Sequence, residues 1–312
     1  MTRLLFATDF HGSDIVFRKL VTAGRMYTAD VIIVGGDITG KAIVPLVQQP
    51  DGTHESDFMG TRYVLRNPEE LESLKKSVKN AGFYPYAMDS DEFAKLSASQ
   101  ERLAELFSKL MIERVREWIQ LMEQHYRKSN AKIYMTGGND DLFNVEDVLN
   151  ESDFVVNPEG KVLQLDESHE MISTGYSNMT PWKCPRDVTE EELAKRIDIM
   201  AGQVKDMKNC IFNLHAPPYD STLDYAPELK DLVPVEGGAK FVPVGSVAVR
   251  DSITRHQPLL GLHGHIHESR GFCKLGQTLC LNPGSDYNDG VLRAAIVNLD
   301  ESRVKNYQFT SG

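Results

Sequence analysis

The sequence Leu259-Leu260-Gly261-Leu262-His263-Gly264-His265-Ile266-His267 joins a short apolar run to a glycine and two alternating histidines. Because His265 and His267 are two positions apart, an extended or turning backbone can project both imidazoles toward one side. Neutral imidazole is the commonest transition-metal ligand, and Gly264 lets the backbone approach an ion without a Cβ in the way. A His-rich surface loop would have the same composition. The function of this stretch therefore depends on what the rest of the chain brings to it.

Length and composition limit the class of protein. With 312 residues, 41% hydrophobic and 25% charged, the chain is long enough for one large domain or for a core domain with an insertion. Its apolar runs are far shorter than the roughly 20 residues of a membrane-spanning helix, and the first residues lack a signal-peptide pattern. We therefore expect a cytoplasmic protein. The net charge of −11 makes nucleic acid an unlikely partner, because binding a phosphate backbone requires clustered Lys and Arg.

The four cysteines have no CxxC spacing, so we expect reduced thiols and neither a disulfide nor a thiolate metal site. They are Cys184, Cys210, Cys273 and Cys280.

Two short apolar runs near the start of the chain predict buried strands, Leu4–Ala7 and Val31–Val34. The first leads to Asp9 and His11, the second to Asp37, and the stretch between the runs has helical spacing. In open α/β sheets, ligands bind beyond the carboxyl ends of the strands, so the three polar side chains should meet. For either aspartate alone, a helix N-cap or a turn is an alternative role.

Three later strand patterns also end in polar residues. The strand pattern at Lys132–Thr136 precedes Gly137-Gly138-Asn139-Asp140-Asp141, the one at Cys210–Leu214 precedes His215, and the one at Leu259–Leu262 precedes the histidine pair. Five strand ends therefore carry D-x-H, G-D, G-N-D, H and G-H-x-H, in that order.

Residues 48–129 interrupt this core and predict a mainly helical insertion within a single domain spanning residues 1–312. The segment Ser99–Arg127 contains no Gly or Pro, and its apolar residues have helical spacing. An unbroken helix would be about 43 Å long at about 1.5 Å per residue. Phe58–Leu65 predicts a short hairpin. The end of the chain predicts a closing antiparallel set, at Gly271–Leu275, Thr278–Leu281, Val291–Leu299 and Val304–Phe309.

The five ordered motifs resemble those of the calcineurin-like metallophosphoesterase superfamily. Asn282-Pro283-Gly284-Ser285 further resembles its bacterial and archaeal phosphodiesterase-type branch. The resemblance covers the core outside residues 48–129 and implies an α/β fold, a four-layer α/β/β/α sandwich. It also implies two bound metals, one held by Asp9, His11, Asp37 and His267, the other by Asp37, Asn139, His215 and His265, with Asp37 bridging.

Mixed imidazole, carboxylate and amide ligands suit Mn²⁺, Fe, Zn²⁺ or Ni²⁺ better than Ca²⁺ or Mg²⁺. The activity that the resemblance implies is hydrolysis of a phosphodiester or phosphomonoester by a hydroxide that bridges the two metals. Asp37, His265 and Asp140 would be its catalytic residues, and a small phosphate ester its substrate.

One position departs from the family pattern. Asp140 stands where the family commonly has a His that protonates the leaving oxygen or contacts the phosphate. A carboxylate that is ionised at neutral pH cannot deliver that proton. We therefore expect a preference for good leaving groups, such as aryl phosphodiesters, over alkyl monoesters.

Two other functions are compatible with the same motifs. One is a non-catalytic scaffold that kept the fold for protein binding, which the seven competent ligand residues disfavour. The other is a nuclease, which the negative charge disfavours. His263 has two alternative roles, a third active-site imidazole or a core histidine, of which we favour the second. Lys41 is interpreted as a solvated side chain outside the site.

Overall fold

Two mixed β-sheets packed face to face form the centre of the fold. The structure is a computed structural model that describes residues 1–230, 233–234 and 240–312. The strands are β1 Thr2–Ala7, β2 Val31–Val34, β3 Ile43–Gln48, β4 His54–Phe58, β5 Thr61–Leu65, β6 Tyr84–Asp89, β7 Lys132–Met135, β8 Val155–Val156, β9 Val162–Gln164, β10 Glu170–Thr174, β11 Ser177–Asn178, β12 Asp187–Val188, β13 Cys210–Leu214, β14 Tyr225–Pro227, β15 Leu229–Lys230, β16 Val233–Pro234, β17 Phe241–Pro243, β18 Leu260–Leu262, β19 Gly271–Leu275, β20 Thr278–Asn282, β21 Arg293–Asp300 and β22 Arg303–Ser311. The α-helices are α1 Asp14–Met26, α2 Pro68–Asn80, α3 Ser90–Ser97, α4 Gln100–Tyr126, α5 Asn144–Asn150, α6 Glu190–Ala201 and α7 Val247–His256, and the 3₁₀ helices are Met207–Asn209 and Tyr287–Asp289.

Parallel strands occupy the middle of both sheets. Within the described part of the chain, the first sheet has the order β22-β21-β1-β2-β7-β8 and the second β19-β20-β18-β13-β10-β9. In the first sheet β1, β2, β7 and β8 are parallel, and in the second β10, β13, β18 and β20 are parallel. The carboxyl ends of the central strands therefore face one edge of each sheet, which is where the polar motifs follow.

The alternation of side chains along each strand produces the layers. In β1, Leu4 and Phe6 face the second sheet, where they pack with residues such as Leu262. Leu5 and Ala7 face the opposite way, into a cluster with α1, α4 and α5. The outer face of the second sheet packs against α6 and α7. The order of layers is α/β/β/α, which confirms the fold class that the sequence resemblance implied.

The segment 48–129 contains α2, α3 and α4 and contributes to a small sheet of order β5-β4-β3-β6 that begins earlier, at Ile43. Its hairpin extends from His54 to Leu65, so it begins before the predicted Phe58–Leu65. Strands β3 and β6 escaped the sequence analysis because Pro45 and Pro85 lie inside them, and a proline removes a backbone donor.

The long helix α4 also builds the central core. Trp118 is fully buried on α4 and stacks on Phe17 of α1, with ring centroids 4.1 Å apart and an interplanar angle of 4°. Its indole Nε1 donates a hydrogen bond to Asp14 Oδ1 at 3.0 Å. The aromatic stripe of this helix therefore packs on α1.

The prediction of one closing antiparallel set was wrong in its pairing. Strands β19 and β20 form a hairpin in the second sheet, whereas β21 and β22 form a hairpin in the first. Alternating apolar residues identify strands but do not determine which sheet each strand joins.

Among the described residues, no helix is long and apolar enough to cross a membrane.

Candidate metal centre

The ends of five parallel strands meet at one place. Asp9 and His11 follow β1, and Asp37 follows β2, while Asn139 comes after β7. From the second sheet, His215 follows β13 directly, and the pair His265 and His267 follows β18. The structure brings all seven predicted ligand residues to this edge.

Four of these residues have a backbone that L-amino acids rarely adopt. The φ angles are +57° at Asp9, +41° at His11, +48° at Asp37 and +66° at His265. Backbone hydrogen bonds stabilise these turns, since the Asp9 N–H donates to Gly36 O at 3.0 Å and the His11 N–H to Asp37 O at 2.8 Å. Such strain, of order 1–3 kcal/mol per residue, is concentrated at functional sites in proteins.

One group of ligand atoms comprises Asp9, His11 and His267, which lie within 4.8 Å of one another. His267 Nε2 is 3.3 Å from Asp9 Oδ1 and 3.1 Å from His11 Nε2. Two imidazole nitrogens and a carboxylate oxygen at this spacing form a three-donor cluster that can bind a cation.

The second group comprises Asp37, His215 and His265, again within 4.8 Å. Asp37 Oδ2 is 3.4 Å from His215 Nε2 and 3.6 Å from His11 Nε2, so this carboxylate lies between the two groups.

Unpaired buried atoms at the site fit a metal. Asn139 Oδ1 and His215 Nε2 are buried and make no regular hydrogen bond among the described residues, although Asp37 Oδ2 lies 3.4 Å from His215 Nε2. Each is held by its other polar atom, since Asn139 Nδ2 donates to Asp187 Oδ1 at 2.9 Å and His215 Nδ1 is 3.0 Å from Gly35 O. A fixed ring or amide with one free electron pair is the usual arrangement of a metal ligand.

Gly264 is required here for a reason the sequence did not give. A Cβ at this position would overlap Thr8 Oγ1 and would lie 2.5 Å from Asp9 Oδ2. One close neighbour of Gly264 is thus the carboxylate of a predicted ligand. Asp9 in turn accepts the His265 N–H at 3.1 Å, which joins the first and last motifs.

The charges of the site shift its pKa values in opposite directions. Burial alone would raise the pKa of Asp9, but the hydrogen bond and charge of His267 outweigh it and lower the pKa to about 2. Burial alone would lower the pKa of His215, yet the Asp37 carboxylate raises it to about 9. Burial lowers the pKa of His265 to about 4. Without a bound cation, the Asp9 and Asp37 carboxylates favour an imidazolium at His215. A cation bound between these carboxylates would supply that positive charge instead.

The two aspartates after Asn139 have different surroundings. Asp141 is fully buried and accepts the backbone N–H groups of Ile38 (2.9 Å), Thr39 (2.8 Å) and Gly138 (2.7 Å), so it fixes the loops that carry the ligands. Asp140 is partly exposed, and its Oδ2 lies 3.3 Å from Lys41 Nζ and 3.6 Å from His11 Nδ1.

Three residues that the sequence analysis did not place in the site line it or contact its ligand residues. Lys41, interpreted there as solvated, forms an ion pair with Asp140 in the cavity above the ligands. Tyr287 packs against the ring of His11 with centroids 4.7 Å apart, and Asp187 holds Asn139. None of the five motifs contains these three residues. Lys41 follows Asp37 by four positions, whereas Asp187 and Tyr287 come from segments remote in sequence from the residues they contact.

The Asn-Pro-Gly-Ser turn supports the site through its side chains. Asn282 Nδ2 lies 3.0 Å from Ile266 O, and Ser285 Oγ donates to Asp9 O at 2.7 Å. His263 is buried beneath the site, where its Nδ1 is 2.9 Å from Leu214 O.

No protein-family model matches the chain. The uncharacterized protein MJ1162 of Methanocaldococcus jannaschii is 33% identical over 154 residues, which cover 49% of this chain and 63% of that protein. The match therefore spans less than two thirds of the relative's own length.

Similar solved structures align over nearly the whole chain. One is 13% identical and covers 99% of this chain and 98% of its own, with a TM-score of 0.60. The protein TT1561 of Thermus thermophilus is 14% identical and covers 100% and 98%, with a TM-score of 0.52. A novel archaeal phosphodiesterase aligns over 99% of both chains at 11% identity and a TM-score of 0.37. From its four layers and the meeting of five ordered motifs at one edge, the chain has the fold of the calcineurin-like metallophosphoesterase superfamily.

Proposed function

We propose that this protein is a metal-dependent hydrolase of phosphate esters. The observation that carries the proposal is the position of Asp37, whose Oδ2 lies 3.6 Å from one imidazole of the first ligand group and 3.4 Å from one of the second. A carboxylate that belongs to one three-donor cluster and also lies beside an imidazole of the other suits a pair of divalent cations that share it.

The ligands of the two cations are assigned by this proposal as follows. Asp9, His11, Asp37 and His267 hold one, and Asp37, Asn139, His215 and His265 hold the other. Mixed nitrogen and oxygen donors favour Mn²⁺, Fe, Zn²⁺ or Ni²⁺. Two such cations, when bound, supply an activated water and neutralise the charge on the phosphoryl oxygens.

The residues of the chain itself position the reactants. Asp140 donates its backbone N–H to Asp37 Oδ1 at 3.0 Å, which fixes the shared carboxylate. The Lys41 ammonium beside Asp140 provides a cation and a hydrogen-bond donor for a phosphoryl or leaving oxygen. In the reaction one water is consumed, a new O–P bond forms, the ester P–O bond breaks, and the alcohol or phenol leaves with a proton or as its anion.

The test measures metal content and hydrolysis together. The purified protein is loaded with Mn²⁺ and assayed on a panel of phosphomonoesters and phosphodiesters, and elemental analysis should give about two metals per chain. Asp37→Asn should lose at least one of these metals and nearly all activity, because it removes the charge that both cations share.

Asp30→Asn is the matched control, since Asp30 precedes the same strand β2 at its opposite end, where its side chain accepts the Arg3 N–H at 2.8 Å. It should keep both metals and full activity. Full activity in Asp37→Asn would end the assignment.

The same panel separates the two alternatives. Cleavage of duplex or single-stranded oligonucleotides in preference to small esters would indicate a nuclease. Stoichiometric metal without hydrolysis of any ester, or no metal at all, would indicate a scaffold.

A further inference from the structure

The ligand cluster lies in a cavity of about 1180 Å³. That volume is larger than a phosphate group or a small sugar needs and exceeds the roughly 300–1,000 Å³ of most pockets for organic ligands. Its walls away from the ligands are largely apolar, formed by Phe107, Leu142, Met179, Trp182, Val242 and Val244.

Two of these apolar side chains are unusually exposed. Trp182 is 60% exposed and Met179 is 53% exposed, and both face the same cavity from the loop between β11 and β12. Large apolar side chains left in water beside a polar cluster are typical of a ligand-binding surface.

Hydrogen bonds hold this loop in place. Asp187 accepts the N–H of Thr180 at 3.0 Å and of Cys184 at 2.9 Å, and Asn178 Nδ2 donates to the backbone oxygen of Val244, another lining residue, at 3.1 Å. Because Asp187 also holds the metal-ligand candidate Asn139, the apolar wall and the ligand cluster are fixed relative to each other. A ligand that contacts both needs little reorganisation of the protein.

The charges of the cavity argue against a second phosphate. Among the lining residues that the structure describes, Lys41 is the one Lys or Arg, and it is paired with Asp140. Glu228 and Glu268 line the same cavity and would repel a further anionic group.

We propose that the substrate carries a single phosphoryl group and a large apolar organic group. The phosphoryl group lies at the metal-ligand cluster, and the apolar group lies against Met179 and Trp182. This inference rests on the proposed function, and it names the class of phosphate ester that the site takes.

The test uses p-nitrophenyl alkyl phosphodiesters in which the alkyl group is methyl, butyl or octyl. In each, water attacks phosphorus, the bond to the nitrophenyl oxygen breaks, and p-nitrophenolate, an alkyl phosphate and protons are the products. The leaving group is constant, so only contacts with the alkyl chain differ. Since a buried methylene is worth about four-fold in affinity, kcat/KM should rise at least about 100-fold from methyl to octyl.

Variants connect that rise to the apolar wall. Trp182→Ala and Met179→Ser should each reduce the octyl-to-methyl ratio of kcat/KM by about ten-fold, and Trp182→Phe should retain most of it. Phe272→Ala is the control, because Phe272 is 54% exposed on β19 and does not line the cavity. It should leave the ratio unchanged.

A binding measurement is independent of turnover. The chain has two tryptophans, and Trp118 is buried, so a change in tryptophan fluorescence on adding octylphosphonate reports on Trp182. The change should be absent in Trp182→Phe and should require much higher concentrations of methylphosphonate.

The outcomes are distinct. Hydrolysis that is indifferent to chain length overturns this inference and leaves the proposed function standing. Octylphosphonate binding without hydrolysis of any ester supports the apolar site and overturns the enzymatic proposal. The absence of both overturns both.

Discussion

Replacing Asp187 with alanine should weaken metal binding although Asp187 is not itself a proposed ligand. The carboxylate accepts one hydrogen bond from Asn139 Nδ2, at 2.9 Å, and that bond turns the unpaired Oδ1 of Asn139 into the site. Without it the amide can rotate. Loss of such an outer partner typically reduces metal affinity about 10–100-fold, which equals about 1.4–2.7 kcal/mol.

The same substitution also removes structural hydrogen bonds. Asp187 Oδ2 accepts the N–H groups of Thr180 and Cys184, at 3.0 and 2.9 Å, so the free energy of unfolding should fall by about 2 kcal/mol. Asp166→Ala is a matched control, because Asp166 accepts the N–H groups of Ser168 and His169, both at 2.8 Å, in a turn remote from the site. It should cost similar stability and leave metal affinity unchanged.

The assay is a titration of the metal-loaded protein with a competing chelator, alongside urea unfolding. Asp187→Ala should release one metal of the two at about 10–100-fold lower chelator concentration. If Asp187→Ala retains wild-type affinity at both sites, or if Asp166→Ala loses as much, the account of Asn139 as an oriented ligand is wrong.

Three further outcomes are expected. Asp140→His should raise kcat/KM for alkyl monoesters at least about ten-fold relative to aryl diesters, because histidine restores a proton donor. Loss of both activities would show that Asp140 itself acts as an acid or a ligand. Burial raises the pKa of Glu159 from an ordinary 4.5 to about 7, so the carboxyl of the unfolded chain releases its proton at lower pH than that of the folded chain. The free energy of unfolding should therefore fall by at most about 3 kcal/mol between pH 4.5 and 7. Urea unfolding of Glu159→Gln across that range should lack this slope, and an unchanged slope would contradict the shift. Trp118→Ala should cost about 3–5 kcal/mol in the same assay, because it leaves a cavity beside Phe17, whereas the exposed Trp182→Ala should cost under about 0.5 kcal/mol.

The sequence was sufficient to locate the central strands and the ligand candidates. Short runs such as Val31–Val34 are apolar at every position, as strands covered on both faces must be, and each is followed at once by its polar motif. Because parallel strands of one sheet end at the same edge, the strand patterns predicted that Asp9, His11 and Asp37 would meet, and the family resemblance implied that His215 joins them. Strands β3 and β6 were missed, since prolines interrupt their patterns.

What only the tertiary structure decided is which remote segments meet. The sequence by itself determined the central strands, the helix spacing and the residues available as ligands, because those depend on neighbours a few positions away. The partnership of Asn139 with Asp187, the ion pair of Lys41 with Asp140 and the apolar wall carrying Trp182 join segments that are far apart along the chain. Such contacts leave no periodic or local pattern, because they arise from the packing of whole layers, which brings loops of independent sequence to the same edge of the two sheets.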